Sequence, residues 1–114
     1  MDSYIKEMEN PVIIEKVIAL DTNLEKDEII DHLVNLLRKE GFVSINYCKI
    51  INKIKAYYNK IFKYGVIEIE VKELYGIKRL NVKVTVKNNF YSKHAERYIL
   101  EIFLDVLDIK YKEV

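Results

Sequence analysis

Hydrophobic and polar residues alternate along the chain between residues 66 and 87. The aliphatic residues in alternate positions are Ile67, Ile69, Val71, Leu80, Val82, Val84 and Val86. A period of two is typical of half-buried strands, and Gly76 with Ile77 suits the centre of a two-residue type II′ turn. The pattern therefore predicts a β-hairpin in which Glu70 lies opposite Lys83 and the aliphatic residues share one face.

The first two predicted elements precede this hairpin. The run from Val12 to Leu20 is rich in β-branched residues and predicts a buried strand, although a helix that starts at Pro11 is the competing interpretation. A helix follows, because Thr22 or Asn23 can cap it, apolar residues recur at helical spacing, and Gly41 supplies a left-handed stop.

Three further elements complete the predicted order. Residues 44–63 place their isoleucines and tyrosines on one side of a helical projection and their lysines on the other, which predicts a second helix. Asn88 or Asn89 can cap a last helix that continues to about Asp108. Residues 109–114 alternate and predict a short closing strand.

This order predicts one α+β domain over residues 1–114. If the first two helices form one crossover, the order is the β-α(α)-β-β-α-β of ferredoxin-like folds, an antiparallel sheet covered by helices. The alternative, if residues 12–20 are helical, is a helical domain packed on a single β-hairpin.

The composition narrows the class of protein. There are 19 basic and 18 acidic side chains, which argues against a globally basic nucleic-acid binder. Cys48 is the one cysteine, no apolar run approaches the roughly 20 residues of a membrane span, and no leader is evident, so we expect a cytoplasmic protein. Many Lys and Glu residues give a thermophile-like composition, which an AT-rich genome would produce equally well.

The predicted helix over residues 44–63 is one candidate functional surface. It contains no acidic residue, and a basic face of this kind can follow the phosphates of a nucleic acid. The residues of that face are Lys49, Lys53, Lys60 and Lys63. A solvated lysine face in a lysine-rich protein explains the same pattern more simply.

The last predicted helix is the other candidate, because its apolar arc is broader than one sheet needs. As an interface it would use Leu100, Leu104 and Leu107, flanked by Glu101 and Asp105. The alternative is that the helix is buried between the sheet and another helix. Both interpretations stay open at this point.

Catalytic chemistry has little support in the sequence. His32 and His94 lie on polar helix faces without a partner motif, and Glu68 with Glu70 is better explained by a charge ladder with nearby lysines. We expect no metal, cofactor or small-molecule ligand. The sequence thus predicts a non-enzymatic interaction domain that self-associates or docks on a partner protein through its last helix, with nucleic-acid binding by the basic helix as the alternative.

Overall fold

Six strands and two helices make up the part of the chain that the computed structural model describes, residues 11–87 and 94–114. In chain order they are β1 (Val12–Leu20), α1 (Lys26–Glu40), β2 (Val43–Cys48), β3 (Lys53–Lys60), β4 (Lys63–Leu74), β5 (Ile77–Val86), α2 (Ala95–Val106) and β6 (Tyr111–Glu113). The strands form one antiparallel sheet in the order β2-β3-β4-β5-β1-β6.

The α+β class is confirmed, but the ferredoxin-like order is wrong. Four consecutive strands, β2 to β5, form a meander between the two helices, where the sequence predicted a helix and two strands. The alternative of a helical domain on a single hairpin is wrong as well, because β1 and β6 extend the sheet beyond β5.

The error lies in residues 44–63, which are strands rather than a helix. Burial along β3 alternates with a period of two: Ile54, Ala56 and Tyr58 are buried, whereas Lys53, Lys55 and Tyr57 are exposed. Isoleucine, tyrosine and asparagine favour strands or turns over helices. Two turns, one on each side of β3, shift the phase of the alternation, so that the whole segment mimics a helical period.

The first strand and helix are close to prediction. β1 has the predicted bounds, and Gly41 ends α1 in the left-handed region with φ 95°. The N-terminal cap is Glu25 rather than Thr22 or Asn23, since the side chain of Glu28 accepts a hydrogen bond from the backbone N–H of Glu25. The closing strand is confirmed as β6.

The predicted β4–β5 hairpin is confirmed, but its turn and register are not. Tyr75 and Gly76 occupy the turn with φ 53° and 78°, and two positive φ values mark a type I′ turn rather than type II′. Glu70 therefore pairs with Asn81, and Lys83 pairs with Glu68. Each partner moves by two residues, so the aliphatic residues keep their common face.

Both helices pack on one side of the sheet, which we call the covered face. α1 contacts β2, β3 and β4, whereas α2 contacts β1, β4 and β5. Gly65 in β4 lets α2 approach closely, because a methyl group there would lie 2.7 Å from both Ile99 Cδ1 and Val86 Cγ1.

The predicted caps of α2, Asn88 and Asn89, lie outside the described residues. Neither described helix is long and apolar enough to cross a membrane.

Candidate functional site

The side of the sheet opposite the helices, which we call the open face, is not covered by either helix. Strand residues alternate between the two faces, and those of the open face fall into rows that run across the strands. One row is apolar, and the next one along the strands is charged. The pairing registers define both rows directly.

The apolar row crosses four strands. Its members are Tyr57 in β3, Val66 in β4, Thr85 in β5 and Ile13 in β1. Val43 extends the row to the edge strand β2, where it pairs with Tyr57. Val43, Tyr57 and Ile13 are exposed large hydrophobic side chains. A contiguous exposed band of this kind is typical of surfaces that bind a partner.

The charged row crosses the same four strands. Its members are Lys55 in β3, Glu68 in β4, Lys83 in β5 and Glu15 in β1, so the sign of charge alternates at every step. Among the described residues, these four form no ion pair with one another. Lys55 instead places its Nζ 5.8 Å from the centre of the Tyr57 ring. The row therefore presents charges that a partner can pair.

A groove of about 560 Å³ lies over the charged row and the row beyond it. The further row holds Lys53, Glu70, Asn81 and Val17. Three lysines and three glutamates of the two rows line the groove, namely Lys53, Lys55 and Lys83 with Glu15, Glu68 and Glu70. Lys16 also borders the groove, and its charge is paired with Glu113. A surface with this balance suits a ligand that carries both signs of charge, and it gives a polyanion no net attraction.

The four lysines of the predicted basic helix do not form one stripe. Lys49 and Lys53 lie at one end of β3 and Lys60 and Lys63 at the other, about 23 Å away by strand rise. Three of them contact other parts of the chain. The Lys49 Nζ donates a hydrogen bond to Asp31 at 2.9 Å, which raises the pKa of this lysine.

The two lysines at the far end are also engaged. The Lys60 Nζ donates a hydrogen bond to the backbone carbonyl of Glu40 at 2.7 Å, where it satisfies the C-terminal end of α1. The Lys63 Nζ lies 5.5 Å from the centre of the Tyr98 ring. These contacts hold α1 and α2 to the hairpin, so Lys60 and Lys63 have structural roles.

The predicted interface on the last helix is largely turned inward. Leu100 and Leu107 belong to the core, and Leu104 is half-buried against it. Glu101 and Asp105 are exposed on the outer side of α2. The broad apolar arc of this helix is accounted for by the sheet beneath it and by the side chains of α1 that pack into the same core.

Possible catalytic groups are dispersed over the described residues. His32 Nε2 lies 2.5 Å from Asp108 Oδ1, and this hydrogen bond lowers the pKa of Asp108. The pair joins α1 to the chain that follows α2, and it is exposed. No group of three metal-binding side chains occurs in residues 11–87 and 94–114. Cys48 is exposed at the edge of the groove.

The turn between β3 and β4 is unusual in both conformation and exposure. Ile61 and Phe62 have φ 54° and 59°, a region that branched and bulky residues rarely adopt, and each is 74% exposed. Glycine and asparagine are the usual residues of such a turn. The turn lies at the end of β3 nearest the apolar row, so Ile61 and Phe62 extend the exposed apolar surface beyond the open face.

The sequence prediction missed the open face because it assigned β2 and β3 to a helix. The alternation Lys53-Ile54-Lys55-Ala56 is the signal that would have revealed β3. Without β3, neither row extends across the sheet. The sequence then gives no reason to place Lys55 in one row with Glu68 and Glu15. The earlier interpretation of Glu68 as part of a charge ladder is consistent with the observed row.

Comparison with models of known protein families gave no match, and comparison with curated proteins gave no significant match.

Proposed function

We propose that this chain is a non-enzymatic interaction domain that binds a protein through the open face of its sheet. The observation that carries the proposal is the apolar row lying beside a row of charges that do not pair with one another. Protein interfaces combine an apolar centre with surrounding polar groups in this way. The covered face needs no partner, because the helices already bury it.

The open face supports this function better than the last helix does. Leu100 and Leu107 would have to leave the core before they could contact another molecule. By contrast, Tyr57 and Ile13 are accessible without any change in the fold. Tyrosine is enriched at interfaces, because it buries a large apolar ring while its hydroxyl keeps a polar partner.

Nucleic-acid binding stays a prediction without geometric support. The lysines proposed for it lie at opposite ends of β3, and the open-face lysines that line the groove, Lys53, Lys55 and Lys83, are accompanied by three glutamates. Phosphate recognition needs an excess of positive charge along the contacted surface.

The proposal can be tested by site-specific photocrosslinking in cells of the source organism. A benzoyl-phenylalanine group would replace Tyr57 on the open face, Glu101 on α2 or Lys39 on α1, one position at a time. We expect covalent protein adducts from position 57 and none from position 39, which serves as the control. We also expect Val66→Glu to abolish the adducts, because it places a charge within the apolar row.

The positions that give adducts show whether the partner binds the open face or α2. Adducts from position 101 and none from position 57 would place the interface on α2 and contradict the proposal. Equal adducts from all three positions would indicate non-specific contact and contradict it as well.

A further inference from the structure

We propose that the partner of the open face is a second copy of this chain, docked face to face about a two-fold axis parallel to the strands. The axis passes midway between β4 and β5. This inference rests on the proposed function, because it names the partner of the same face. Symmetric homodimers bury the same patch on both subunits, so that patch must be complementary to itself.

The symmetry fixes which strands meet. With the strand order β2-β3-β4-β5-β1-β6, this axis places β4 opposite β5 of the second copy and β3 opposite β1 of the second copy. A rotation about an axis along the strands keeps each row at its own level. Each row of the open face therefore meets itself in reverse order.

The charged row is complementary to its own reverse. From β3 to β1 it is Lys55, Glu68, Lys83 and Glu15, and its reverse carries the opposite charge at every position. Lys55 faces Glu15 of the second copy, and Glu68 faces Lys83 of the second copy. Two-fold symmetry repeats both pairs, which gives four opposed pairs in one row.

The apolar row is also compatible with its reverse. Tyr57 faces Ile13 of the second copy, and Val66 faces Thr85 of the second copy. The alignment that pairs the charges thus also removes the exposed side chains of Tyr57 and Ile13 from water. Both sources of complementarity, charge and hydrophobicity, select the same arrangement.

A different two-fold axis would bring like charges together. If the axis ran across the strands at the level of the charged row, Lys55 would face Lys55 of the second copy and Glu68 would face its own counterpart. Such like-charge contacts disfavour association. The alternation of charge therefore selects the axis parallel to the strands.

The shape and the area of the face are adequate for a weak dimer. Two twisted sheets pack face to face with their strands within about 30° of each other, which keeps the rows in register near the axis. The four strands that carry the rows, β3, β4, β5 and β1, with about seven residues along each, give a face on the order of 450 Å² in projection. Specific interfaces begin at roughly 600 Å² of accessible surface per partner, so the dimer would be near the lower limit.

One end of the face opposes association. At the level beyond the groove, Lys72 in β4 faces Arg79 of the second copy, and both side chains are positive. This level lies two rows from the charged row, whereas the apolar row is adjacent to it, so Lys72 and Arg79 fall at the rim of the contact. We expect Lys72→Glu to strengthen the dimer severalfold, because it converts two like-charge contacts into opposite-charge contacts.

The first experiment measures the mass of the purified full-length chain by sedimentation equilibrium over a range of concentrations. We expect a reversible increase to twice the monomer mass, and we expect added salt to reduce it, since exposed ion pairs are screened. A monomer at all accessible concentrations would overturn the second copy as partner. It would leave the proposed function intact if position 57 still crosslinks to another protein.

The second experiment tests the axis with two charge reversals, Glu68→Lys and Lys83→Glu. Each variant alone places two like-charge pairs across the axis, so we expect its self-association to weaken about tenfold. A one-to-one mixture restores every opposed pair, and we expect a mixed dimer of wild-type affinity. Each chain in the mixture retains its own altered sheet, so recovery cannot come from improved folding.

The outcomes separate the axis from the function. A wild-type dimer whose single reversals associate normally, or whose mixture fails to recover, would overturn the proposed axis. Circular dichroism of each variant confirms that the sheet has formed before its mass is interpreted.

Discussion

The two faces of the sheet use the same strands in opposite ways. On the covered face, strand residues such as Ile67, Ile69 and Val84 are buried beneath α1 and α2. The residues that alternate with these along the strands point to the open face, where they are charged or expose aromatic rings to water. Neighbours in β3 show the contrast directly, because Tyr58 is 4% exposed and Tyr57 is 37% exposed.

This contrast separates stability from recognition. Burial of the covered face supplies the hydrophobic free energy that holds the domain together. The open face contributes little to folding, so its side chains can be changed with small effect on the fold. Substitutions on the two faces should therefore affect different measurements.

The largest expected difference comes from the same substitution on each face. Val84→Ala removes two methyl groups from the core and should lower the free energy of unfolding by about 2–3 kcal/mol. Val66→Ala, on the open face of the adjacent strand, should lower it by less than about 1 kcal/mol. Urea unfolding at concentrations where the chain is monomeric gives both values. Equal losses would contradict the division between the two faces.

A smaller effect is expected where α2 meets the covered face. Gly65→Ala adds a methyl group 2.7 Å from Ile99 Cδ1, which forces the helix outward and should lower the free energy of unfolding by about 1–2 kcal/mol. Ile99→Val removes that Cδ1 atom. In the double variant the two losses should therefore be less than additive, and strict additivity would show that this contact is not the cause.

The smallest effect concerns alkaline pH. Burial, together with the neighbouring Tyr98, raises the pKa of Tyr58 to about 12 from its ordinary value of 10.0. A raised pKa in the folded state gives stability that is present below pH 10 and is lost as the pH rises towards 12. Tyr58→Phe should reduce this loss by on the order of 1 kcal/mol, as measured by urea unfolding at several pH values.

Tyr57→Phe is the matched control for the pH experiment, because it changes the adjacent tyrosine on the open face. Its stability should follow the same pH dependence as the wild type. A Tyr58→Phe variant that loses stability in parallel with the wild type would contradict the role of burial at Tyr58.

The elements that the sequence predicted well are those with a β-branched run or a clear apolar period. β1 and the β4–β5 strands show clear β-branched patterns, and α1 shows helical spacing ended by Gly41. The turn of the β4–β5 hairpin was predicted one residue too late, because Gly76 fits the second central position of a type I′ turn as well as the first of type II′.

The candidate site could not be predicted, because it depends on pairing between strands. Each row takes one residue from each of four strands. β1 joins β5 only through pairing between residues distant in the sequence, such as Glu15 and Lys83, which are 68 positions apart. The misassigned segment also contains Ile61 and Phe62, which carry none of the usual sequence signals of a tight turn.

The conformation of Ile61 and Phe62 predicts the order in which the hairpins form during folding. Two residues in the left-handed region, one of them β-branched, cost about 1–3 kcal/mol each, so an isolated β3–β4 hairpin is locally disfavoured. The β4–β5 hairpin has Gly76 in its turn and can close early. We therefore expect β4 and β5 to belong to the folding nucleus and β3 to add later, with low φ-values at the Ile61–Phe62 turn.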